Sequence, residues 1–494
     1  MSSLIQNSKE NLLLWFFESS NNKPTNGLTS FFKDEDVLKV IQINKLINTH
    51  SFLFSINKKI RMKDLIKINK TSNSKKRKRE EKEQKEEEEE EEEVVEITKI
   101  KLKIKRICIR TSNELNLYLN SYKLLTKEYK GISYLNLNNH CISKKQIVKL
   151  NKIINLTMTL KQLKLSECAI DDDGLEIVSK ALETNTSLTS LELSHVYIGN
   201  RNDHLGGHNM GDKEIITLSK ALEINTSLKS LDLSENIIGD EGTISLSELL
   251  KKNKTLRSIN LGQNNTEEEG MLALSTALKI NNTVTSIRLS GSNSGYEGIK
   301  FLSEMLETNT TLKVIDLSYI DMRYKGIVVF SNFFQKNHTL TSLDLNSNTI
   351  GKEGMILFSK ILETNHTLTT LKVGANNIGN EGMIALSKAL EINKTLKVID
   401  LFSNNIGNEG IFVFCKTLET NPTLKKIDLG NNNIEKEGIF ALFKVLETSN
   451  ALKFIHLYNS MVTKWDEIEE LDNLVKTNEK LKGRIEFFPE QKKL

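Results

Sequence analysis

One phrase returns every 28 residues between Leu228 and Leu452 of this 494-residue chain. In the copy LKVIDLFSNNIGNEG, which begins at Leu396, apolar residues occupy the first, fourth and sixth positions and asparagine the ninth. The first residue of each copy is called the ruler position below, and it falls on Leu228, Leu256, Val284, Leu312, Leu340, Leu368, Leu396, Leu424 and Leu452. A fixed period of this length indicates stacked copies of one structural unit.

Each copy predicts a short strand followed by a helix. Ile399 and Leu401 lie two residues apart and point to one face of the strand, whereas Asp400 points to the other. Leu386 and Leu390 lie four residues apart, on one face of a helix directed back at the strand. Because a single unit cannot bury its own apolar face, the units must stack on one another.

Two polar or small positions also recur. Asparagine stands eight residues after the ruler position at Asn236, Asn264, Asn348, Asn376, Asn404 and Asn432, and its amide can bond the backbone of the neighbouring unit. This row predicts an asparagine ladder. Glycine stands fourteen residues after it, at Gly242, Gly270, Gly298, Gly326, Gly354, Gly382, Gly410 and Gly438, where we expect the chain to turn tightly into the helix.

The period, the asparagine, the glycine and the apolar positions together resemble leucine-rich repeats of the ribonuclease-inhibitor subfamily. That resemblance implies an α/β fold, a solenoid or horseshoe with a concave parallel sheet and convex helices. It does not imply one function, because the subfamily includes an inhibitor, ligand sensors and a GTPase activator.

The same period continues toward the N-terminus. A step of 40 residues separates Leu188 from Leu228, and further steps of 28 reach Ile104. We therefore predict a repeat domain of about 13 units over residues 100–488, with the unit at Ile104 as its N-terminal cap. The longer step contains an insertion of 12 residues within 196–212, whose Gly, Asn and Asp content predicts an exposed loop.

Residues 1–70 do not repeat and carry apolar helical patterns. The stretch from Phe31 to Phe52 resembles the second half of an F-box, although the Leu-Pro that opens an F-box is absent. The matching residues are Asp36, Val37, Leu38, Asn44 and Lys45. A small helical cap over the first repeat is the alternative interpretation.

Residues 71–99 predict a charged, disordered linker, since they cannot bury enough apolar surface to offset their ordering entropy. A basic cluster in this segment is a candidate nuclear localisation signal and consists of Lys75, Lys76, Arg77, Lys78 and Arg79. The alternative is a solvated charge run that pairs with Glu86 to Glu93. Those glutamates make nucleic-acid binding the less favoured use of the cluster.

Composition narrows the function classes. A formal net charge of +4 gives no general tendency to bind nucleic acid. Cys108, Cys141, Cys168 and Cys415 show no C-x-x-C spacing, so we expect reduced, structural thiols. The first residues lack a signal sequence or a membrane span. We therefore expect a cytoplasmic or nuclear monomer with no membrane partner.

No pattern of residues predicts catalysis. Three histidines fall within 195–208, but no regular element fixes their spacing and no other ligand completes a zinc set. Phosphate-binding loops of the Walker type and G-x-S-x-G elbows are absent from the sequence. We predict no catalytic residue, no cofactor and no metal.

The concave face remains as the candidate binding surface. Six acidic residues occupy the position four after the ruler, namely Glu192, Asp232, Asp316, Asp344, Asp400 and Asp428. They predict an acidic stripe suited to a basic partner, unless Asp is simply the usual residue at this turn. Phe402, Phe454 and Tyr458, with Tyr319 nearby, are predicted on the same face as hot-spot residues, unless the C-terminal tail covers them.

Three functions stay open at this point. The first is a non-catalytic scaffold that binds a protein partner through the concave face and the strand-to-helix loops. The second follows from resemblance to Ran GTPase-activating protein, and it would use Arg201 and Asn202 in the insertion to contact a small GTPase. The third follows from the F-box resemblance and is a ubiquitin-ligase substrate receptor that binds a ligase adaptor.

Overall fold

The computed structural model describes residues 106–108, 119, 132–170, 173–199, 208–458 and 465–486. Segments 1–70 and 71–99, including the F-box-like stretch and the cluster from Lys75 to Arg79, lie outside these ranges. Arg201 and Asn202 of the insertion also lie outside them. Within the described ranges, no helix has the length and apolar character that a membrane span requires.

Eighteen short strands lie in the described part of the chain. In order they are β1 (Arg106–Cys108), β2 (Tyr134–Asn136), β3 (Cys141–Ile142), β4 (Gln162–Lys164), β5 (Ala169–Ile170), β6 (Ser190–Glu192), β7 (Tyr197–Ile198), β8 (His208–Asn209), β9 (Ser230–Asp232), β10 (Ser258–Asn260), β11 (Ser286–Arg288), β12 (Val314–Asp316), β13 (Ser342–Asp344), β14 (Thr370–Lys372), β15 (Val398–Asp400), β16 (Lys426–Asp428), β17 (Phe454–His456) and β18 (Ile485–Glu486). Fourteen of them form one parallel sheet in the order β1-β2-β4-β6-β9 and then β10 to β18 in sequence.

Twelve helices alternate with these strands in the described residues. They are α1 (Lys144–Leu156), α2 (Gly174–Thr184), α3 (Asp212–Ile224), α4 (Asp240–Lys252), α5 (Glu268–Ile280), α6 (Gly295–Thr308), α7 (Arg323–Phe334), α8 (Gly351–Thr364), α9 (Gly379–Ile392), α10 (Asn408–Thr420), α11 (Lys436–Thr448) and α12 (Trp465–Thr477). From α1 to α11 each helix packs on the next one. The predicted α/β solenoid with a concave parallel sheet and convex helices is confirmed.

The 28-residue period sets the register of the sheet. Leu231 pairs with Ile259 and Ile259 with Ile287, so equivalent residues of successive units lie side by side. The ruler leucines Leu256, Leu312 and Leu396 are each no more than 1% exposed. A single continuous hydrophobic core therefore runs between the sheet and the helices.

The predicted asparagine ladder is present. The amide nitrogen of Asn376 donates to the carbonyl of Leu345 in the preceding unit (2.8 Å), and its oxygen accepts the backbone N–H of Asn348 (2.9 Å). The asparagine position is occupied by His140 and Val196 in two of the earlier units, and later by Ser292 and Ile320 in two successive units. In the unit that starts at Leu160, Cys168 takes this position, and its thiol donates to the carbonyl of Leu137 (3.0 Å).

A second ladder lies where the helices end, and the sequence analysis did not predict it. The buried amide of Asn225 donates to the carbonyl of Leu182 (2.7 Å), and its oxygen accepts the N–H of Leu228 (2.8 Å). Its members are Asn185, Asn225, Asn253, Asn281, Asn309, Asn337, Asn365, Asn393 and Asn421. The recurring N-x-T motif is therefore a structural joint between units.

The prediction for the repeated glycines is wrong. They lie inside the first turn of their helices with negative φ, and the left-handed turn falls earlier, for example at Ala375 (φ 53°) and Ser403 (φ 54°). A Cβ atom at Gly354 would lie 2.5 Å from Cγ2 of Ile350 and 2.9 Å from Cγ2 of Ile327. Glycine is required because the helix start presses against the preceding unit.

Replacing Gly354 with alanine is therefore expected to lower the free energy of unfolding by about 1–3 kcal/mol, as overpacking of a buried site does, although alanine is the better helix former. Thermal and urea unfolding of the full chain would measure the change. Lys360→Ala, at an exposed position of the same helix, is the control and should be close to neutral. A stabilised Gly354→Ala variant would contradict the close-contact explanation.

The insertion is a hairpin where the structure describes it. Strands β7 and β8 pair antiparallel, with Tyr197 opposite Asn209 and Ile198 opposite His208. Val196 and Met210 are fully buried at its base. The two ends of segment 196–212 are thus built into the fold, rather than forming the exposed loop that its composition predicts.

Candidate functional site

The exposed face of the main sheet carries three rows of side chains. Because every unit has the same register, residues two, four and six positions after the ruler line up from strand to strand. The predicted acidic residues all lie in the middle row, at the last position of their strands. The structure therefore brings them into one line across the concave face.

Half of this acidic stripe has a basic side chain on a neighbouring strand. Glu192 pairs with Lys164 (2.5 Å), Asp344 with Lys372 (2.9 Å), and Asp428 with Nδ1 of His456 (2.8 Å). The ion pairs of the described residues leave three carboxylates without such a neighbour within 4 Å, and these are Asp232, Asp316 and Asp400. The net negative charge of the stripe is smaller than the sequence suggests.

Lys372 is the counter-ion for a longer part of the stripe. Burial opposes its charge, but the hydrogen bond to Asp344 and the charges of Asp344, Asp316 and Asp400 outweigh that effect and raise the pKa of Lys372. Burial also raises the pKa of Asp344, and the like charge of Asp316 adds to the effect. The pair therefore lies in a crowded, partly dehydrated environment.

The stripe aspartates also hold the turn that follows each strand. Oδ1 of Asp316 accepts the N–H (3.0 Å) and the hydroxyl (2.7 Å) of Ser318, and Oδ1 of Asp400 accepts the N–H of Phe402 (3.0 Å). These are turns of the Asx type. One carboxylate oxygen thus has a structural role, which is the alternative that the sequence left open, while the second oxygen of Asp400 accepts the Asn346 amide (3.1 Å).

Two predicted aromatic residues form an exposed pair on this face. Phe402 and Tyr458 are each 37% exposed and occupy the same position of units two apart, with Gly430 at that position between them. A Cβ atom at Gly430 would lie 3.2 Å from Cδ2 of Phe402 and 3.1 Å from the carbonyl oxygen of Tyr458. The Phe402 ring can therefore pack over Gly430 because that residue has no side chain.

The other predicted aromatics lie at different distances from this pair. The His456 ring lies beside that of Tyr458, tilted by 31° with centroids 6.1 Å apart, and Phe454 is half-buried on the same strand as His456. Tyr319 is 68% exposed with a φ of 58°, but it lies three units before Phe402. The concave aromatic site therefore consists of Phe402, Gly430, His456 and Tyr458, and Tyr319 is separate from it.

The surface beside the insertion hairpin holds a shallow, open depression lined by Glu167, His195, Tyr197 and Glu235. Nδ1 of His195 lies 3.8 Å from Glu235. Among the described residues, no group of three His, Cys, Asp or Glu side chains is arranged to hold a metal ion.

Three cysteines, Cys141, Cys168 and Cys415, are free thiols. Cys141 is exposed, whereas Cys168 and Cys415 are buried. Burial raises the pKa of Cys415 to about 12, which keeps it in the unreactive thiol form.

Sequence comparison agrees with this architecture. The family model described as leucine-rich repeat matches residues 158–176, 225–247, 336–359, 364–387, 393–415 and 420–443. The chain carries leucine-rich repeats. Among solved structures, actin-binding site 2 of leiomodin-1 is similar to this leucine-rich repeat protein, with 24% identity over 33% of this chain and 86% of that one and a TM-score of 0.26. No curated protein matches the sequence.

Sequence reasoning missed two features of the leucine-rich repeat surface that are visible in the repeats once they are aligned. The position six residues after the ruler alternates between glycine and an aromatic residue in four successive units, namely Gly374, Phe402, Gly430 and Tyr458. This alternation indicates aromatic rings that are separated by a position without a side chain. Cations opposite acidic residues in adjacent units, such as Lys164 beside Glu192, signal partial neutralisation of the stripe.

Proposed function

We propose that this leucine-rich repeat protein is a non-catalytic protein-interaction scaffold that binds its partner through the concave face. The observation that supports this function best is the exposed pair Phe402 and Tyr458 beside the last strands of the sheet. Within the leucine-rich repeat proteins we assign it to the ribonuclease-inhibitor-like subfamily, because the 28-residue units carry helices of 11 to 14 residues.

The concave aromatic site has the properties of an interaction hot spot. Aromatic side chains supply a large contact area at a small entropic cost, and they are enriched among the residues that contribute most to binding. The site is bordered by the carboxylates of Asp400 and Asp428. Asp428 contacts His456, and Asp400 lies beside Lys372 of the neighbouring strand, whose ion pair is with Asp344. A partner that inserts an apolar side chain between the rings and places Lys or Arg beside Asp400 fits this chemistry.

The test compares two double variants of the full chain. Phe402→Ala with Tyr458→Ala is expected to weaken binding of the physiological partner by at least about tenfold, because two hot-spot side chains are truncated together. Affinity capture would find the partner, and titration with the purified partner would measure the dissociation constant.

The matched control is Phe412→Ala with Tyr296→Ala, which removes two aromatics that are 43% and 47% exposed on convex helices. It should leave the affinity unchanged. Equal affinities for both double variants and the wild type would overturn the proposal that the concave aromatic site binds the partner. If the captured protein does not bind the chain when both are purified, that protein is not a direct partner and the proposal loses its support.

The two other functions remain proposals with their own tests. GTPase activation depends on Arg201 and Asn202, which lie between the described ends of the hairpin. Single-turnover GTP hydrolysis by Ran and other small GTPases, with the wild type and an Arg201→Ala, Asn202→Ala variant, would test it.

Co-purification of residues 1–70 with a ligase adaptor would test the F-box-like receptor. We also propose a cytoplasmic or nuclear location, which imaging of the tagged chain would check.

A further inference from the structure

The edge at which the parallel strands begin has a charge pattern opposite to that of the acidic stripe. Directly after the ruler position, the described units carry no acidic residue. Seven of these residues are exposed cations: Lys161, Lys229, Arg257, Lys313, Lys397, Lys425 and Lys453. The other five are Ser133, Thr189, Thr285, Thr341 and Thr369.

The cations are densest in the last three complete units. We call Lys394, Lys397, Lys425, Lys426 and Lys453 the basic rim. The backbone N–H of Lys425 donates to the carbonyl of Lys397 (2.7 Å), and that of Lys453 donates to Lys425 (2.8 Å). Neighbouring strands lie roughly 5 Å apart, so these like charges repel one another across the sheet.

No carboxylate within the described ranges forms an ion pair with the basic rim. The ammonium of Lys453 donates to the carbonyl of Asn450 (2.8 Å). Glu391 and Glu447, at the ends of the preceding helices, accept hydrogen bonds from Thr417 and Asn478 instead. The rim is therefore a concentrated positive surface whose charge the described structure leaves unbalanced.

We propose that the basic rim binds an acidic, extended polypeptide segment of a partner protein. This contact is separate from the concave aromatic site and goes beyond the function proposed above. A chain of Glu or Asp residues laid across three units would place carboxylates beside several rim lysines and relieve their mutual repulsion.

The surroundings of the rim favour a narrow polypeptide over a nucleic acid. The carboxylates of Asp400 and Asp428 lie two or three residues further along the strands, which is roughly 7–10 Å and within about one Debye length. A duplex would bring its phosphates close to them. Single strands bind on exposed aromatic platforms, whereas Phe454, the cross-strand partner of Lys426, is half-buried.

The chain contains one acidic run of its own, Glu86 to Glu93. Lys82 and Lys85, and before them the basic residues Lys75 to Arg79, precede it closely in sequence and are its nearest counter-charges along the chain. The rim is therefore assigned to a partner rather than to this run.

The test uses fluorescein-labelled octaglutamate and the full chain in an anisotropy titration at low salt. The wild type should bind the probe, and the affinity should fall as salt is added. The triple variant Lys397→Glu, Lys425→Glu, Lys453→Glu should lose at least about tenfold in affinity. The control variant Lys388→Glu, Lys416→Glu, Lys444→Glu makes the same charge change at exposed positions of convex helices and should lose less than about twofold.

Circular dichroism would confirm that both triple variants stay folded. An absence of probe binding, or equal losses in the two variants, would overturn the proposal. Tighter binding of a single-stranded oligonucleotide of equal charge would overturn the polypeptide proposal and indicate a nucleic acid as the ligand of the rim. Binding that appears only after Glu86–Glu93 are changed to glutamine would assign the rim to the chain's own acidic run.

Discussion

Replacing Phe334 with alanine is expected to lower the free energy of unfolding by about 3–5 kcal/mol, the usual range for truncating a buried phenylalanine. Phe334 is fully buried at the end of α7. Its ring stacks on Phe330 at 5.3 Å and on Phe358 of α8 at 5.8 Å. The change removes apolar burial and breaks a ring stack that joins two units.

Urea unfolding, followed by far-ultraviolet circular dichroism and by hydrogen exchange of α7 and α8, would measure the loss. Exchange is needed because a repeat array can open locally before it unfolds as a whole. Phe412→Ala, at a 43% exposed position of α10, is the control, and it should cost under about 1 kcal/mol. A loss of the same size in both variants would show that the stacked rings have no special role.

Replacing Asn376 with alanine is expected to cost about 2–4 kcal/mol, because several buried backbone groups lose their partners together. The Asn376 side chain is fully buried. Its amide nitrogen donates to the carbonyls of Leu345 and Gly374, and its amide oxygen accepts the N–H groups of Asn348 and Ile350. Water cannot replace these bonds without entering the core.

Equilibrium unfolding of the full chain would measure this change against Asn332→Ala, which lies at an exposed helical position and should be near neutral. Asn376→Cys should be milder than Asn376→Ala, since a thiol already fills the equivalent position at Cys168 and donates to a carbonyl. A cost for Asn376→Ala below about 1 kcal/mol would mean that the ladder bonds contribute little net stability.

The repeating core and the first ladder were predictable because both depend on residues whose environment is the same in every unit. Leu396 must be buried and Asn404 must lie beside the next coil, whatever the rest of the chain does. The role of Gly354 was not predictable from the repeat pattern, since the packed positions of Ile350 in its own unit and of Ile327 in the preceding unit together set the limit on its side chain. The second ladder was missed for the same reason, because Asn225 bonds a carbonyl 43 residues earlier.

The candidate site was predictable only in part. The period placed Phe402 and Tyr458 on one face, but the packing of Phe402 over Gly430 depends on three neighbouring units at once. The position of the Asp344 carboxylate on the concave face could be predicted from the sequence. The burial of this carboxylate, which raises its own pKa, and its hydrogen bond to Lys372, which raises the pKa of that lysine, required the structure.

The interruption at Ser292 and Ile320 makes the solenoid mechanically uneven. Near these units the second ladder continues through Asn281, Asn309 and Asn337, whereas the first ladder has no asparagine between Asn264 and Asn348. At the two joints on either side of the unit that begins at Val284, one edge of the coil is therefore bonded through side chains while the opposite edge lacks the asparagine bonds, which resume where Asn348 bonds Leu317. Bending stiffness should be lowest at these two joints, so that a partner bound to both ends of the concave face would change its curvature chiefly there.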